Sequence, residues 1–220
     1  MSGAPPQVVP LGDAAWTVVL GESVDLELHR RVTVLAERIR TEAVAGVLEI
    51  VPAYAAVTVF FDPVTADPDA LRERLLELAE DGLPASALPV PSSSTLVTIP
   101  VRYDGPDLAY VARETGLTER EVIRLHAEPE YRVYLLGFAP GFAYLGDLDP
   151  ALVLPRRSAP RLRVPAGAVA IGGAQTGVYP LATPGGWHLI GSTSLKMFDP
   201  AREPAALLRA GDRVRFQSAE

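Results

Sequence analysis

The sequence predicts an α+β protein, with helices in the N-terminal half and mostly short strands in the C-terminal half. In two N-terminal segments apolar residues recur every three or four positions, as helices require, and β-branched and aromatic residues fill the segments between them. Much of the proline, 21 residues in all, lies from Pro129 onward and is interleaved with glycine. The C-terminal part is therefore predicted to be a small barrel or sandwich of short strands.

The N-terminal elements are predicted in the order β-α-β-β-α-β, which is that of a ferredoxin-like domain over residues 1–101. Four segments have the composition of strands: residues 13–20, 47–51, 55–61 and 96–101. The first helix carries one apolar stripe: Val24, Leu28, Val32, Leu35 and Ile39. The second helix is capped by Asp67, has Pro68 at its first position and buries a second stripe: Leu71, Leu75 and Leu78.

Two further regions follow, a helical connector at residues 102–130 and a β-barrel domain at residues 131–220. A loop rich in proline and serine, residues 82–94, precedes the last strand of the first domain. The connector contains two short helices, one over residues 107–115 and one opened by the capping box that Thr118 and Glu121 form.

Composition excludes several classes of protein and site. The chain has no cysteine and three histidines, which rules out thiolate sites and leaves little for a histidine metal cluster, so no metal site is assigned. The net charge of −7 argues against nucleic-acid binding, and no run of about 18 apolar residues predicts a membrane span. The first ten residues lack a basic region followed by an apolar core, so a cytoplasmic location is expected.

The familiar nucleotide and hydrolase motifs are missing as well. Lys196 is the single lysine and lies in no phosphate-binding loop. The sequence contains no G-x-S-x-G, H-E-x-x-H or G-x-G-x-x-G motif. Any nucleotide chemistry must therefore use another scaffold or another subunit.

Charge is distributed unevenly along the chain. Residues 1–150 carry 11 basic and 23 acidic side chains, whereas residues 151–220 carry 9 basic and 4 acidic ones. All basic residues except Lys196 are arginines, whose planar fork suits carboxylate and phosphate. The C-terminal part suits an anion or an acidic partner surface, or else the arginines reflect compositional bias.

The candidate site is the run of glycine, proline, aromatic and arginine residues between positions 137 and 187. The first part predicts a groove or partner face, although core and turn roles also explain it: Phe138, Pro140, Phe142 and Tyr144. Three arginines follow and are predicted to bind an anion: Arg156, Arg157 and Arg161. The alternative is that each is solvated or paired with a carboxylate. Two turns add further candidate ligand contacts: Gln175, Thr176, Tyr179 and Trp187. His126 and His188 are assigned to the groove, with a structural hydrogen bond as the alternative for His188.

This run resembles a known family. The segments GFAPGFAYLGDLDP and PRRSAPRLRVPAGAVAIGGAQTGVYPLATPGGWHLIGSTSLKMFDP are similar to the B subunits of 5-oxoprolinase, also called allophanate hydrolase subunit 1 or the KipI family. The similarity extends upstream through IPVRYDGPDLAYVARETGLTEREVIRLH, and more loosely over most of the chain. The resemblance implies a ferredoxin-like domain, a cyclophilin-like β-barrel and a partner, the KipA-like C subunit of 5-oxoprolinase. Together with a third component, the A subunit, these family members open 5-oxoproline to glutamate at the expense of ATP.

The resemblance also assigns motif positions that would line the groove of the barrel or the face toward the KipA-like partner. These are residues 137–145, 155–157, 160–161, 164–167, 175–180 and 184–187. The stretch Gly191-Ser192-Thr193-Ser194 departs from the family pattern G-R-T-P, because Ser192 and Ser194 stand where relatives usually have arginine and proline. An anion held by that arginine would bind more weakly here.

The leading hypothesis is that the chain is a subunit of an enzyme that hydrolyses 5-oxoproline and consumes ATP. ATP, together with any Mg²⁺, is expected to bind either to a partner subunit or to a site shared with one. Arg156, Arg157 and Arg161 would neutralise charge on phosphoryl or carboxylate oxygens, while Gln175 and Tyr179 orient the ring. An alternative is a KipI-type inhibitor that binds a sensor histidine kinase through the groove. A prolyl isomerase, which only the barrel type suggests, ranks last.

Overall fold

A computed structural model of the protein describes residues 5–22, 26–80 and 95–219. The chain divides into two compact units, Met1–Val90 and Pro91–Glu220. Both units combine helices with strands, and the larger sheet is nearly closed into a barrel, so the predicted α+β class is confirmed. The loop predicted at residues 82–94 and the stripe residue Val24 lie outside the described residues.

The first unit is a four-stranded antiparallel sheet with two helices, as far as its described residues show. Its elements follow in the order β1 (Gln7–Pro10), β2 (Ala15–Val19), α1 (Leu26–Glu42), β3 (Val47–Pro52), β4 (Ala56–Phe61) and α2 (Pro68–Glu80). The strands are ordered β1-β2-β4-β3 across the sheet.

Both predicted apolar stripes are buried in the core of this unit. In α1 the stripe residues Leu28, Val32, Leu35 and Ile39 pack with those of α2, Leu71, Leu75 and Leu78. Helix α2 begins as predicted, because the carboxylate of Asp67 accepts hydrogen bonds from the backbone N–H groups of Asp69 and Ala70, both at 3.1 Å.

The predicted βαββαβ order is wrong for its last strand. Residues 96–101 form a strand, β5, but it pairs in parallel with β13 (Arg213–Ser218) in the second unit, where Ile99 and Val101 are fully buried. The corresponding place at the edge of the first sheet is taken by β1, which precedes β2 in the chain. The boundary between the units therefore lies before β5, at Val90–Pro91, and not after residue 101.

The second unit contains two helices and a sheet of seven strands in its described part. After β5 come α3 (Leu108–Thr115), α4 (Glu119–Ala127), β6 (Glu130–Leu136), β7 (Ala143–Gly146), β8 (Arg161–Val164), β9 (Ala168–Gly172), β10 (Gln175–Val178), β11 (Thr183–Gly185), β12 (His188–Ser192) and β13. The sheet has the order β12-β9-β10-β7-β6-β13-β5. Reciprocal backbone hydrogen bonds of 2.7 and 2.8 Å between Arg102 and Ser192 join its two ends.

The two helices of the predicted connector are part of this second unit. Leu108, Val111 and Val122 belong to the same buried cluster as the barrel strands, so the helices cover the barrel core. The predicted capping box is present, with reciprocal bonds between Thr118 and Glu121 of 3.2 and 2.8 Å. Among the described residues, no helix is both long enough and apolar enough to cross a membrane.

Candidate functional site

Five aromatic rings of the second unit pack together: Phe138, Phe142, Tyr144, Tyr179 and Trp187. We call them the aromatic cluster. Neighbouring ring centroids lie 4.9 to 6.3 Å apart in edge-to-face geometry, which aromatic quadrupoles favour. The sequence run from 137 to 187 therefore does assemble in space, although its residues differ in how far they reach solvent.

Only part of the predicted groove face is accessible. Phe138 is 61% exposed and has a φ of +72°, a left-handed conformation that costs about 1–2 kcal/mol for a residue with a Cβ. Pro140 beside it is exposed as well. Phe142 is buried and Tyr144 half-buried, so Phe142 is a core residue and the prediction that its ring faces a partner is wrong.

Tyr179 is buried at the centre of the cluster, with its phenol oxygen near the backbone of two neighbours. The backbone N–H of Trp187 donates to this oxygen, and burial raises the pKa of Tyr179. A Cβ on Gly185 would lie 2.3 Å from the phenol oxygen, so this position has room only for glycine. Arg156 and Arg161 are close enough to oppose the rise in the Tyr179 pKa.

A buried carboxylate that the sequence did not single out organises two of the predicted arginines. One carboxylate oxygen of Asp107 accepts from Arg161 at 2.8 Å and from Arg157 at 3.2 Å. The other accepts from the backbone N–H of Leu189 at 2.7 Å. We call Asp107, Arg157 and Arg161 the arginine clamp. It ties the start of α3 to β8 and β12.

The sequence left open whether the clustered arginines bind an anion or are paired with carboxylates. Two of them, Arg157 and Arg161, are paired with the carboxylate of Asp107. The side chains of Arg157 and Arg161 remain 33% and 24% exposed. Within the described residues, Arg157 Nε and Arg161 Nη1 are buried without a hydrogen-bond partner. Two guanidinium cations thus share one carboxylate, which leaves an excess of positive charge, and each cation keeps one unsatisfied N–H group.

Arg156 and Arg163 lie outside the clamp and are exposed. The guanidinium carbon of Arg156 stands 5.8 Å from the centroid of the Trp187 ring, within the range of a cation–π contact. Neither arginine forms an ion pair with a described residue. Among the predicted anion contacts, Arg156 therefore combines a cation–π contact with Trp187 and a guanidinium group that forms no ion pair with a described residue.

Thr176 and His126 were predicted on the accessible face, but the structure places both inside the barrel. Both side chains are fully buried. The Thr176 hydroxyl donates to the carbonyl of Ala170 at 3.0 Å, so it accepts from Nε2 of His126 at 2.7 Å. The Nδ1 atom of His126 then accepts from the Tyr103 hydroxyl at 2.8 Å. Burial lowers the pKa of His126 to about 3.

Gln175 lies at the other end of β10 from Tyr179 and is half-buried. Three residues lie between them, so the two are roughly 13 Å apart along the extended chain. Gln175 pairs with Gly172, whose backbone lies under the Trp187 ring, since a Cβ there would be 2.7 Å from that ring. Of the two predicted ring-orienting residues, Tyr179 thus belongs to the aromatic cluster, whereas Gln175 lies at the far end of β10.

His188 is also an interior residue, contrary to its assignment to the partner face. Its Nε2 donates to the carbonyl of Pro155 at 2.9 Å, and its ring stacks on Tyr110 at 5.2 Å. This is the structural hydrogen bond that the sequence offered as the alternative. It holds the segment before the arginine clamp against α3.

Ser192, where relatives usually have arginine, makes a polar contact of its own. Its hydroxyl donates to the Asp104 carboxylate at 2.8 Å, and this bond, followed by that from Arg102, lowers the pKa of Asp104. Arg102 pairs with Ser192 across the sheet ends, so a guanidinium group still lies beside this position.

The arrangement can bind an anion against an aromatic wall. No group of three or more His, Asp or Glu side chains in the described residues is placed to hold a metal ion. Asp107 was missed because it falls at the start of the helix predicted over residues 107–115, where an acidic residue is ordinary; its side chain makes no capping bond and accepts from the two arginines instead. The signal that could have found it was the surplus of arginines, which needed a buried counterion from elsewhere in the chain.

The comparisons with known proteins agree over nearly the whole chain. The family model of the carboxyltransferase domain, subdomain C and D, matches residues 6–208. The chain is 48% identical over 210 residues to the B subunit of 5-oxoprolinase from Escherichia coli O157:H7, covering 94% of this chain and 93% of that protein. It is 41% identical over 227 residues to the B subunit of 5-oxoprolinase from Bacillus subtilis (strain 168), covering 96% and 91%.

Solved structures show the same similarity in three dimensions. TTHA0988 is 47% identical with a TM-score of 0.80, over 94% of this chain, and the chain spans 40% of the length of that protein. The urea carboxylase of Kluyveromyces lactis has a TM-score of 0.79 at 20% identity, over 98% of this chain and 22% of its own, which is a likeness of fold.

Proposed function

Because the chain belongs to the family of the carboxyltransferase domain, subdomain C and D, we propose that it is the B subunit of an ATP-dependent 5-oxoprolinase. One observation carries this proposal: two proteins named as B subunits of 5-oxoprolinase are 41% and 48% identical to the chain over nearly the full length of both partners. The reaction opens the lactam of 5-oxoproline to glutamate, driven by ATP.

The proposed partners are the KipA-like C subunit and the A subunit of the enzyme. The relatives are named as B subunits, and such a name implies an enzyme of several chains. ATP is the second substrate. The described residues offer no phosphate-binding loop, and their carboxylates are not grouped to hold Mg²⁺. We therefore assign ATP, with any Mg²⁺, to a site completed or supplied by a partner subunit.

The chemistry that the site would contribute is electrostatic. Opening a lactam is unfavourable without activation. ATP would give its γ-phosphoryl group to the amide oxygen and leave as ADP, which makes the ring carbon electrophilic. Water would then add to that carbon, the C–N bond would break, and hydrolysis of the resulting acyl phosphate by a second water would release phosphate and glutamate. The exposed guanidinium of Arg156 would neutralise charge that builds on the phosphoryl or carboxylate oxygens. The Trp187 ring, over which this guanidinium lies, would supply an aromatic surface beside the charge.

The proposal is tested by mixing this chain with both proposed partners, the KipA-like protein and the third component, and measuring ATP hydrolysis that depends on 5-oxoproline. The wild-type mixture is expected to be active. Arg156→Gln should lower kcat/KM by about tenfold or more, since it removes a charged contact that lies in the site. Its thermal unfolding should not change, because the side chain is exposed.

Arg120→Gln is the matched control, because Arg120 is an exposed arginine on α4 without an ion pair among the described residues. Its activity should equal that of the wild type. A mixture without 5-oxoproline-dependent ATP hydrolysis overturns the proposed function, and an Arg156→Gln variant as active as the control overturns the role of Arg156. The comparisons contain no observation that favours the kinase-inhibitor or prolyl-isomerase hypotheses.

A further inference from the structure

Strands β8 and β11 form a ribbon that stands apart from the seven-stranded sheet. We call it the β8–β11 ribbon. Its two strands are antiparallel, with Val164 opposite Thr183 and Arg161 opposite Gly185. Two strands alone are marginally stable, because a third strand or a packed face is normally needed to cover the ribbon. Val164 gives the ribbon a packed face at one end, so the ribbon does not require a third strand but can accept one.

The outer edge of β8 is open in the described chain. Apart from the ladder to β11, residues 158–163 take part in no backbone–backbone hydrogen bond with described residues. An unpaired strand edge of this kind is a template for another extended chain, and proteins normally cover it or protect it with charge.

Leu162, in the middle of β8, is 93% exposed. Four residues of β8, Arg161–Val164, span the same length as three of β11, Thr183–Gly185, so a bulge interrupts the alternation of side chains along β8. Val164 is buried against the aromatic cluster, whereas Leu162 and Arg163 before it are both exposed. A partner segment that lies along β8 would cover Leu162.

The ribbon and the segment that leads into it are strongly basic. Four arginines lie between positions 156 and 163, and the facing residues of β11, Thr183, Pro184 and Gly185, carry no charge. Asp107 is the carboxylate that pairs with them among the described residues, through Arg157 and Arg161. Arg163 remains on the free strand without an ion pair, so the surface favours an acidic occupant.

We propose that the free edge of β8 is the docking strand for an extended acidic segment of the KipA-like partner. The segment adds a third strand to the β8–β11 ribbon, covers Leu162 with an apolar side chain and places a carboxylate against Arg163. The proposal rests on the proposed function, since it needs an enzyme of several subunits. It assigns the outer side of β8 to assembly, whereas Arg156 serves the ligand.

The test measures binding of the purified KipA-like partner to the full chain by calorimetry. Leu162→Asp and Arg163→Glu are each expected to raise Kd by about tenfold or more, and the wild-type affinity should fall as salt is added. Two controls repeat these changes on equally exposed residues away from the ribbon: Val64→Asp, at a side chain that is 89% exposed, and Arg120→Glu. Both controls should bind like the wild type.

Hydrogen exchange on the wild-type chain tests the main-chain pairing without any substitution. Amides of residues 161–163 should exchange more slowly in the complex. Protection confined to other segments, or ribbon variants that bind as tightly as the controls, overturns the docking proposal. Failure of the KipA-like partner to bind the wild-type chain overturns it as well.

Activity separates the failure of this proposal from the failure of the proposed function. At a saturating concentration of the KipA-like partner, Leu162→Asp and Arg163→Glu should keep the wild-type KM for 5-oxoproline, because neither residue belongs to the ligand site. A raised KM under these conditions would place β8 in the ligand site and overturn the assignment to assembly. A mixture that hydrolyses ATP with 5-oxoproline but ignores the ribbon variants leaves the proposed function standing and overturns the docking strand.

Discussion

The buried side chain of Asp107 determines how the charges of two neighbouring arginines are balanced. Its carboxylate is 4% exposed and accepts hydrogen bonds from Arg157, Arg161 and the backbone of Leu189. A buried carboxylate is stable only when such donors replace its water, and removing the carboxylate would leave two guanidinium groups without their counterion. Because both arginine side chains are partly exposed, the loss is smaller than for a wholly buried pair.

We expect Asp107→Asn to lower the free energy of unfolding by about 2–3 kcal/mol, because an amide keeps the volume but loses the charge and one acceptor. Urea unfolding measures this change. Asp104→Asn is the matched control: that carboxylate also accepts from an arginine and a second donor, but it is exposed, so the loss should stay within about 1 kcal/mol. Equal losses in the two variants would contradict the structural role of Asp107.

His126 makes stability depend on pH, because burial lowers its pKa from 6.5 to about 3 in the folded chain. Below pH 6.5 the unfolded chain takes up a proton that the folded chain does not accept until the pH approaches 3. The contribution of His126 to the free energy of unfolding is therefore fully present above pH 6.5. It falls as the pH is lowered, by up to about 1.4 kcal/mol per pH unit.

The test compares the free energy of unfolding of the wild type and His126→Gln from pH 7 down to pH 4. Glutamine cannot titrate, so the variant should be less stable at pH 7 but lose stability more slowly as the pH falls. The difference between the two curves isolates His126 from the carboxylates that both proteins share. Parallel curves would show that His126 is not held neutral in the fold.

Helices were the elements best predicted from the sequence, because the forces that define them act over a few residues. The stripes that include Leu35 in α1 and Leu75 in α2 repeat with the helical period, and both are buried. The Thr118 capping box likewise involves residues three positions apart. In each case the interacting residues are neighbours in the chain, so the pattern could be read without the fold.

Strand partners could not be predicted in the same way, since pairing joins segments that are distant in sequence. The segment 96–101 was correctly identified as a strand, but Leu96 pairs with Arg213, far along the chain. Nothing local distinguishes that partner from β2. Strand β1 was missed because it is four residues long and ends in Pro10, which suits an edge strand.

The candidate site was predicted in composition more than in geometry. The run from 137 to 187 does bring the aromatic cluster and three arginines together. Burial was the part that residue types could not reveal, because Thr176 and His126 have polar groups whose partners lie inside the barrel. The counterion Asp107 comes from another element, 50 residues before Arg157, and its place depends on the packing of α3.

The sign of the charge changes inside the second unit, near residue 150, and not at the boundary between the two units. The acidic surplus lies in the first 150 residues, whereas the segment from 151 to 220 has an excess of five positive charges, 9 basic against 4 acidic. Within the second unit this excess is concentrated around the β8–β11 ribbon and the arginine clamp. The basic segment thus carries both the proposed ligand contact, Arg156, and the proposed docking strand, β8.

The position of β5 predicts how the chain can be cut. A chain of residues 91–220 retains β5 and should unfold in one cooperative transition, whereas residues 102–220 lack it and leave β13 unpaired on one side. The side chains of Ile99 and Val101 are fully buried, and losing them costs about 1.5–3 kcal/mol each, which is a large part of the stability of a typical domain. We expect circular dichroism to show that the shorter chain is largely unfolded or aggregated.

Chains 1–90 and 1–101 form the matched pair for the first unit. They should unfold with the same free energy, because β5 contributes nothing to the first sheet. A higher free energy of unfolding for 1–101 would show that β5 belongs to the first sheet.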